Sequence, residues 1–201
     1  MDLLVKELGL SDYVTTWHAM KSFIASANQD TKDELWITEH NPVYTLGYKK
    51  NKKNVINHNI DIVETDRGGD ITFHGPEQII FYPLLNLKRA NIKLLDLVVG
   101  LENLVIQILS NYDIKGKKLN KNPGVFVNNY KIASVGIRVK QPWCYHGLSF
   151  NINVDTSYFD SINACGLDIR PINLSSLSIY DKDNLKKDLI LKFKEIFGYT
   201  V

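Results

Sequence analysis

The spacing of apolar residues divides the chain into many short strands and a few amphipathic helices. Leu94, Val98, Leu101, Val105 and Ile108 recur three and four residues apart, which puts them on one face of a long helix packed on a sheet. The pattern predicts another helix over 11–27, capped by Ser11 or Asp12, and a last helix over about 182–197. Strands are expected at 3–8, 34–39, 43–46, 61–65, 71–73, 78–85, 125–127, 131–140 and 145–154, with a loop or one helical turn around Asn51. The run from Ile79 to Leu85 is apolar on both faces and reads as a buried strand. Pro83 inside it cannot donate to a ladder, so it belongs at an edge, a bulge or a strand end. Strands outnumber helices and often follow one another. The expectation is an α+β fold with a mixed, largely antiparallel sheet flanked by helices. No repeat or Pro/Ser-rich linker interrupts the 201 residues, so one domain over 1–201 is expected.

Composition narrows the function classes. The residues are 44% hydrophobic and 23% charged, ordinary for a globular chain. A net charge of +2 is too small to argue for a nucleic-acid binder, and no nucleic-acid partner is expected. The lysines are clustered, however, at Lys49, Lys50, Lys52 and Lys53 and again at Lys115, Lys117, Lys118 and Lys121. Such runs are either solvated loops or docking surfaces for an acidic protein, where positive charge raises the association rate. The two cysteines, Cys144 and Cys165, make no disulfide framework and fit a reducing compartment. The N-terminus does not read as a signal peptide, and no apolar run approaches the roughly 20 residues that span a bilayer. A cytoplasmic protein without membrane contact is expected.

The candidate chemistry centres on Lys131 and Cys165, each in a glycine-marked segment. A thiol is a good nucleophile only as thiolate, and a nearby ammonium stabilises that form. In a regular strand Lys131 shares the parity of Ala133, Val135, Ile137 and Val139, and so points to the buried side; the other reading is a strand-start lysine that snorkels outward. Cys165 is expected in a loop between Ala164 and Gly166, whose open backbone suits a nucleophile and whose amides suit an oxyanion. Cys144, beside Trp143 on a strand, reads as structural. By parity His146 falls with Leu148, Phe150, Ile152 and Val154 as a core residue. The glycines around Arg67 to His74 suit a pocket wall, although a Gly-Gly turn before a strand is also common hairpin chemistry. A metal site of His74, Cys144, His146 and Cys165 lacks the ligand spacing of structural zinc.

Four segments in order are more specific than any one of them. Arg67-Gly-Gly-Asp-Ile-Thr-Phe-His-Gly-Pro-Glu-Gln78, Pro123-Gly-Val-Phe-Val with Lys131-Ile-Ala-Ser-Val-Gly-Ile-Arg138, His146-Gly-Leu-Ser-Phe-Asn-Ile-Asn153 and Asn163-Ala-Cys-Gly166 together resemble the lipoyl(octanoyl) transferase family. The resemblance runs in register from about Glu39 to Gly166. It implies the fold of biotin and lipoate ligases, and transfer of an octanoyl group from octanoyl-acyl carrier protein to a lipoyl-domain lysine. The acceptors it implies are the lipoyl domains of 2-oxoacid dehydrogenase E2 subunits and the glycine cleavage H protein. It implies an octanoyl thioester on Cys165, activated by Lys131, with no cofactor, ATP or metal. The matching substrate-pocket positions are Arg67, Gly68, Gly69, Asp70, Ile71, Thr72, Phe73, His74, Ser134, Val135, Gly136, Gly147, Leu148 and Ser149. An eight-carbon chain needs an apolar groove, to which Phe73, Tyr82 and Leu148 are candidates. Two positions depart from the family pattern: Glu77 stands where glycine is usual, and Ala164 where proline is usual. A positive φ at Glu77 would cost roughly 1–2 kcal/mol, whereas a type I turn would avoid it. Competing readings are an ATP-dependent lipoate or biotin ligase, for which no glycine/arginine-rich adenylate loop is present, a non-catalytic binder of acyl carrier protein or lipoyl domains, and a Cys/His hydrolase.

Overall fold

Gln78–Leu84 is buried along its whole length because it is a strand with both faces covered. Ile79 and Phe81 turn to one side and Ile80 and Tyr82 to the other, as strand alternation requires. The structure, a computed structural model, describes residues 2–49, 60–120, 122–162 and 169–201. In these the chain runs β1 (Leu3–Ser11), α1 (Tyr13–Ser26), β2 (Asp33–His40), β3 (Val43–Leu46), β4 (Ile62–Glu64), β5 (Ile71–His74), β6 (Gln78–Leu84), α2 (Leu87–Ala90) and α3 (Leu94–Ser110). It continues with β7 (Gly116–Leu119), β8 (Asn122–Val127), β9 (Tyr130–Lys140), β10 (Trp143–Asn151) and α4 (Lys182–Phe197).

The large sheet has the order β1-β2-β6-β10-β9-β8-β7, and a small sheet has the order β4-β3-β5. In the large sheet β1 and β2 are parallel and the other neighbours antiparallel. The fold is therefore α+β with a mixed, largely antiparallel sheet. Leu97, Leu101, Leu104, Val105 and Ile108 of α3 and Leu185, Leu189 and Phe193 of α4 pack on one face, against Ile79, Phe81, Ala133 and Val135. Met20 and Ile24 of α1 cover part of the other face, against Trp36, Ile80, Tyr82 and Trp143. Asp12 caps α1 by accepting from the Thr15 amide at 2.8 Å, and Asp181 caps α4 through Asn184 at 2.8 Å. Gly198, left-handed at φ 72°, ends α4.

Several elements differ from expectation. The basic run at 115–121 contains an edge strand, β7, with Lys117 and Lys118 exposed; Lys121 lies outside the described residues. Of the other run only Lys49 is described, and Lys50, Lys52, Lys53 and the stretch around Asn51 lie outside. Pro83 is central in the sheet yet next to last in β6, where register pairing with β10 has stopped at Phe81. At Glu77 the turn is left-handed, φ 64°, so the type I alternative does not hold.

Candidate active site

Short turns lead from β2 to β3 and from β5 to β6, and they fold the small sheet's loop back over the open face of the large one. A cavity of about 130 Å³ lies between them. Its floor is Gln78, Ile80 and Tyr82 of β6, Gly147, Leu148, Ser149 and Asn151 of β10, and Lys131, Ser134, Val135 and Gly136 of β9. Its roof is Arg67 to Thr72 with His74. The roof is held close: the Gly68 amide donates to the Ile137 carbonyl at 3.1 Å. A Cβ on Gly136 would lie 2.9 Å from the Gly68 carbonyl oxygen, which is why the floor needs glycine there.

Asp66 and Arg67 anchor that roof in opposite directions. The Arg67 Nε donates to Thr45 Oγ1 at 3.0 Å in the small sheet. The Asp66 carboxylate accepts from Trp17 Nε1 of α1 at 3.0 Å, from His146 Nε2 at 3.0 Å and from the Tyr145 hydroxyl. Burial alone would raise the Asp66 pKa, but these donors and the His146 ring hold it below the ordinary carboxylate range.

Every pocket residue implied by the resemblance lines the cavity except Phe73. Phe73 is buried in the small-sheet core, stacked on Tyr158 at 4.5 Å. Phe73 of β5 packs into that core while Ile71, Thr72 and His74 line the cavity, so of the proposed groove residues Tyr82 and Leu148 line it. Cys165, with Asn163, Ala164 and Gly166, lies outside the described residues.

Lys131 reaches the cavity by a route that strand parity misses. Gly124 pairs with Ser134 and Val125 with Ala133, but Phe126 pairs with Lys131, so Ile132 is an extra residue in β9. This β-bulge reverses the alternation. Ala133 and Val135 stay in the helix-side core, while Lys131 turns to the opposite face. There it is half-buried, its Nζ 5.5 Å from the Phe126 ring centroid and 2.8 Å from Asn122 Oδ1. The expectation that Lys131 shares the face of Ala133 is thus corrected. Its backbone is fixed as well, since its amide donates to the Arg170 carbonyl at 2.8 Å and its carbonyl accepts from Ile172 at 3.0 Å.

His146 is displaced in the same manner. Its φ of 57° turns the ring to the side of Tyr145, on which it stacks at 5.0 Å, although neighbours in a regular strand face opposite ways. It is a cavity residue rather than a companion of Leu148 and Phe150. Burial pulls its pKa down, opposed by Asp66. A hydrogen-bond chain missed by sequence reading crosses the cavity. His74 Nδ1 lies 2.7 Å from Gln78 Oε1, Gln78 Nε2 donates to Asn151 Oδ1 at 2.9 Å, and Asn151 Nδ2 donates to the Lys131 carbonyl at 3.4 Å. The clue was parity, because Gln78 shares the face of Ile80 and Tyr82. Asn122 carried no such clue. Burial, with His40 nearby, pulls His74 down to about 3, and burial pulls His40 down to about 4; both rings are neutral at pH 7. Burial pushes the Cys144 thiol up to about 12, so it is an inert core residue, as expected. Among the described residues no cluster of His, Cys, Asp and Glu is placed to hold a metal ion.

Known proteins are similar to this chain in sequence and in fold. The family model "Lipoyl protein ligase A/B catalytic domain" matches residues 12–194. The octanoyltransferase of Vesicomyosocius okutanii is 46% identical over 163 residues, 81% of this chain and 80% of that one. The chain belongs to the octanoyltransferase family. Other members are similar over nearly their full length: that of Legionella pneumophila is 38% identical over 97% of this chain and 98% of its own, and that of Nitrosomonas europaea 42% identical over 94% of each. Membership makes the chain an acyltransferase of protein lipoylation. Solved structures extend the likeness of fold alone. A lipoate-protein ligase A bound with ATP has a TM-score of 0.82 at 13% identity, covering 99% of this chain and 87% of that one. The biotin protein ligase of Aquifex aeolicus has a TM-score of 0.60 at 14% identity, covering 98% and 70%. No helix among the described residues is long and apolar enough to cross a membrane.

Proposed function

We propose that residues 1–201 act as one catalytic domain that moves an octanoyl group from octanoyl-acyl carrier protein to the acceptor lysine of a lipoyl domain, through a thioester on Cys165. The observation that carries this reading is Lys131, turned by the β9 bulge into a cavity built from the family's own segments. Cys165 is four positions before Ile169, and Ile169 and Pro171 line the same cavity. Lys131 takes the thiol proton, and the thiolate attacks the donor's carbonyl carbon. The carrier's thiolate departs and is protonated by the Lys131 ammonium. The acceptor amine then attacks the Cys165 thioester, an amide forms, and the Cys165 thiolate leaves with the amine's proton returned through Lys131. One thioester is exchanged for another and then for a more stable amide, so the sequence needs no nucleotide. The acceptors in this reading are the lipoyl domains of 2-oxoacid dehydrogenase E2 subunits and the glycine cleavage H protein. A free-thiol nucleophile works in a reducing compartment, which puts the reaction in the cytoplasm.

Intact mass after mixing the protein with octanoyl-acyl carrier protein, without ATP, tests the reading. An octanoyl adduct is expected on the native chain, absent from Cys165→Ala, and discharged by added lipoyl domain. Folded protein that forms no adduct but octanoylates the domain only with ATP would move the assignment to a ligase.

A further inference from the structure

The β9 face that floors the cavity continues past it. Alternate residues of a strand face the same side, and Ser134 and Gly136 line the floor. Arg138 and Lys140 follow in that series, roughly 7 and 14 Å beyond Gly136, and both are exposed. Their partners across the ladder fix the face: Arg138 is opposite Tyr145 and Lys140 opposite Trp143, and both of those rings pack toward α1. Lys49 and Gly69 line the cavity yet are exposed, so they mark its mouth. The Lys49 amide donates to the Gly69 carbonyl at 3.3 Å, and the Gly68 amide to the Ile137 carbonyl, which sets Arg138 beside the same mouth. Lys21 of α1 joins from the side, its Nζ 4.6 Å from the centroid of Trp17, which is bonded to Asp66. Among the described residues Lys21, Lys49, Arg138 and Lys140 form no ion pair with a carboxylate. The Asp66 carboxylate close by is already engaged by Trp17, Tyr145 and His146. In a chain of net charge +2, four such cations around one opening are a local concentration.

We propose that this basic stripe docks the acyl carrier protein and takes the phosphate of its prosthetic arm, an inference resting on the carrier-donor reading above. Acyl carrier proteins are acidic and present their thioester at the end of a phosphopantetheine arm. The arm enters at the mouth, while its phosphodiester and the carrier's acidic face stay outside, where Arg138 and Lys140 stand. A guanidinium meets a phosphate with two parallel N–H···O bonds, and the lysines speed encounter by long-range attraction. The acceptor lysine of a lipoyl domain brings no phosphate, so the stripe is matched to the donor.

Anisotropy of labelled holo-acyl carrier protein tests the docking apart from the chemistry. Arg138→Glu with Lys140→Glu is expected to weaken carrier binding at least about tenfold at low salt. The gap should close as salt rises toward about 0.5 M, where exposed charges are screened. Arg138→Gln with Lys140→Gln, which adds no repulsion, should lose affinity in the same direction by a smaller factor. Lys187→Glu with Lys194→Glu makes the same change of net charge on α4, on the opposite face of the sheet, and should bind the carrier within about twofold of native. Binding of a lipoyl domain by the Arg138, Lys140 variant should also stay within about twofold. Carrier affinity of that variant within about threefold of native at low salt would overturn the proposal. So would a loss that salt leaves undiminished, an equal loss in the α4 variant, or a larger loss for the lipoyl domain than for the carrier. Native protein that binds the carrier through this stripe but takes up no octanoyl adduct would instead overturn the thioester reading and leave the docking in place.

Discussion

Glu77 occupies a left-handed position, φ 64°, where an L side chain costs roughly 1–2 kcal/mol. Its surroundings compensate. Its amide donates to Glu39 Oε2 at 2.7 Å, and its carboxylate meets Lys182 of α4, which also lies 2.9 Å from Glu39. Those ion pairs are part-exposed, so each contributes at most about 1 kcal/mol. Glu77→Gly relieves the strain but loses the ion pair and adds about 0.5–1 kcal/mol of unfolded-state entropy cost. Its stability should stay within about 1 kcal/mol of native. Glu77→Ala keeps the strain and loses the pair but escapes the glycine entropy cost, so it should be about 0.5–1 kcal/mol less stable than the glycine variant. Urea midpoints of the two variants settle this, and a glycine variant less stable than the alanine one would show no strain at the turn. The glycine-to-glutamate departure was legible in the sequence. Its partner Lys182, 105 positions away, was not.

At the scale of elements, the register between β8 and β9 decides which way Lys131 points. Gly124 has φ 141°, and a Cβ there would clash with the Ala133 carbonyl oxygen beside the bulge. Gly124→Ala should therefore shift the register and move the amine from its place. A misplacement of about 1 Å can cost roughly a hundredfold in rate. The kcat for octanoyl transfer should fall by that order with KM for the carrier little changed, in steady-state kinetics on protein whose far-UV spectrum is native. Full activity would separate the lysine's position from the bulge. The predicted strands and helices exist, because hydrophobic period is a local property. The face of Lys131 and that of His146 were misjudged, because a bulge and a positive φ are set by the neighbouring strand. The edge strand β7 escaped notice since its lysines face water and carry no apolar alternation.

For the molecule as a whole, buried histidines shape the response to acid, His40 and His74 most strongly and His146 in the same direction. His40 Nε2 is 2.8 Å from the Tyr82 hydroxyl, and His74 is enclosed between Tyr13 and Gln78. Both folded pKa values, about 4 and about 3, lie below the ordinary 6.5. Between these limits the unfolded chain binds protons that the folded one refuses, so stability falls as pH drops. It is intact above about pH 6.5, declines through pH 4, and each ring contributes on the order of 3 kcal/mol to the loss. Urea denaturation from pH 7.5 to pH 4 should show this slope, and His40→Gln should flatten it. An unchanged slope in that variant would mean that His40 does not bury as a neutral ring.

The fold class, the helices packed on the sheet, the family and the segments that build the cavity were all legible in the order of residues. Each of these depends on residue type and spacing within one stretch of chain. How those segments meet is a property of the folded chain. Folding put Phe73 in a core and not in the groove, and Lys131 and His146 in the cavity and not in the core. It also joined Asp66 to three residues of α1 and β10, and Asn122 to Lys131. The physical reason is that a side chain's direction follows from backbone register and φ. In this protein both are fixed by hydrogen bonds to strands distant in sequence.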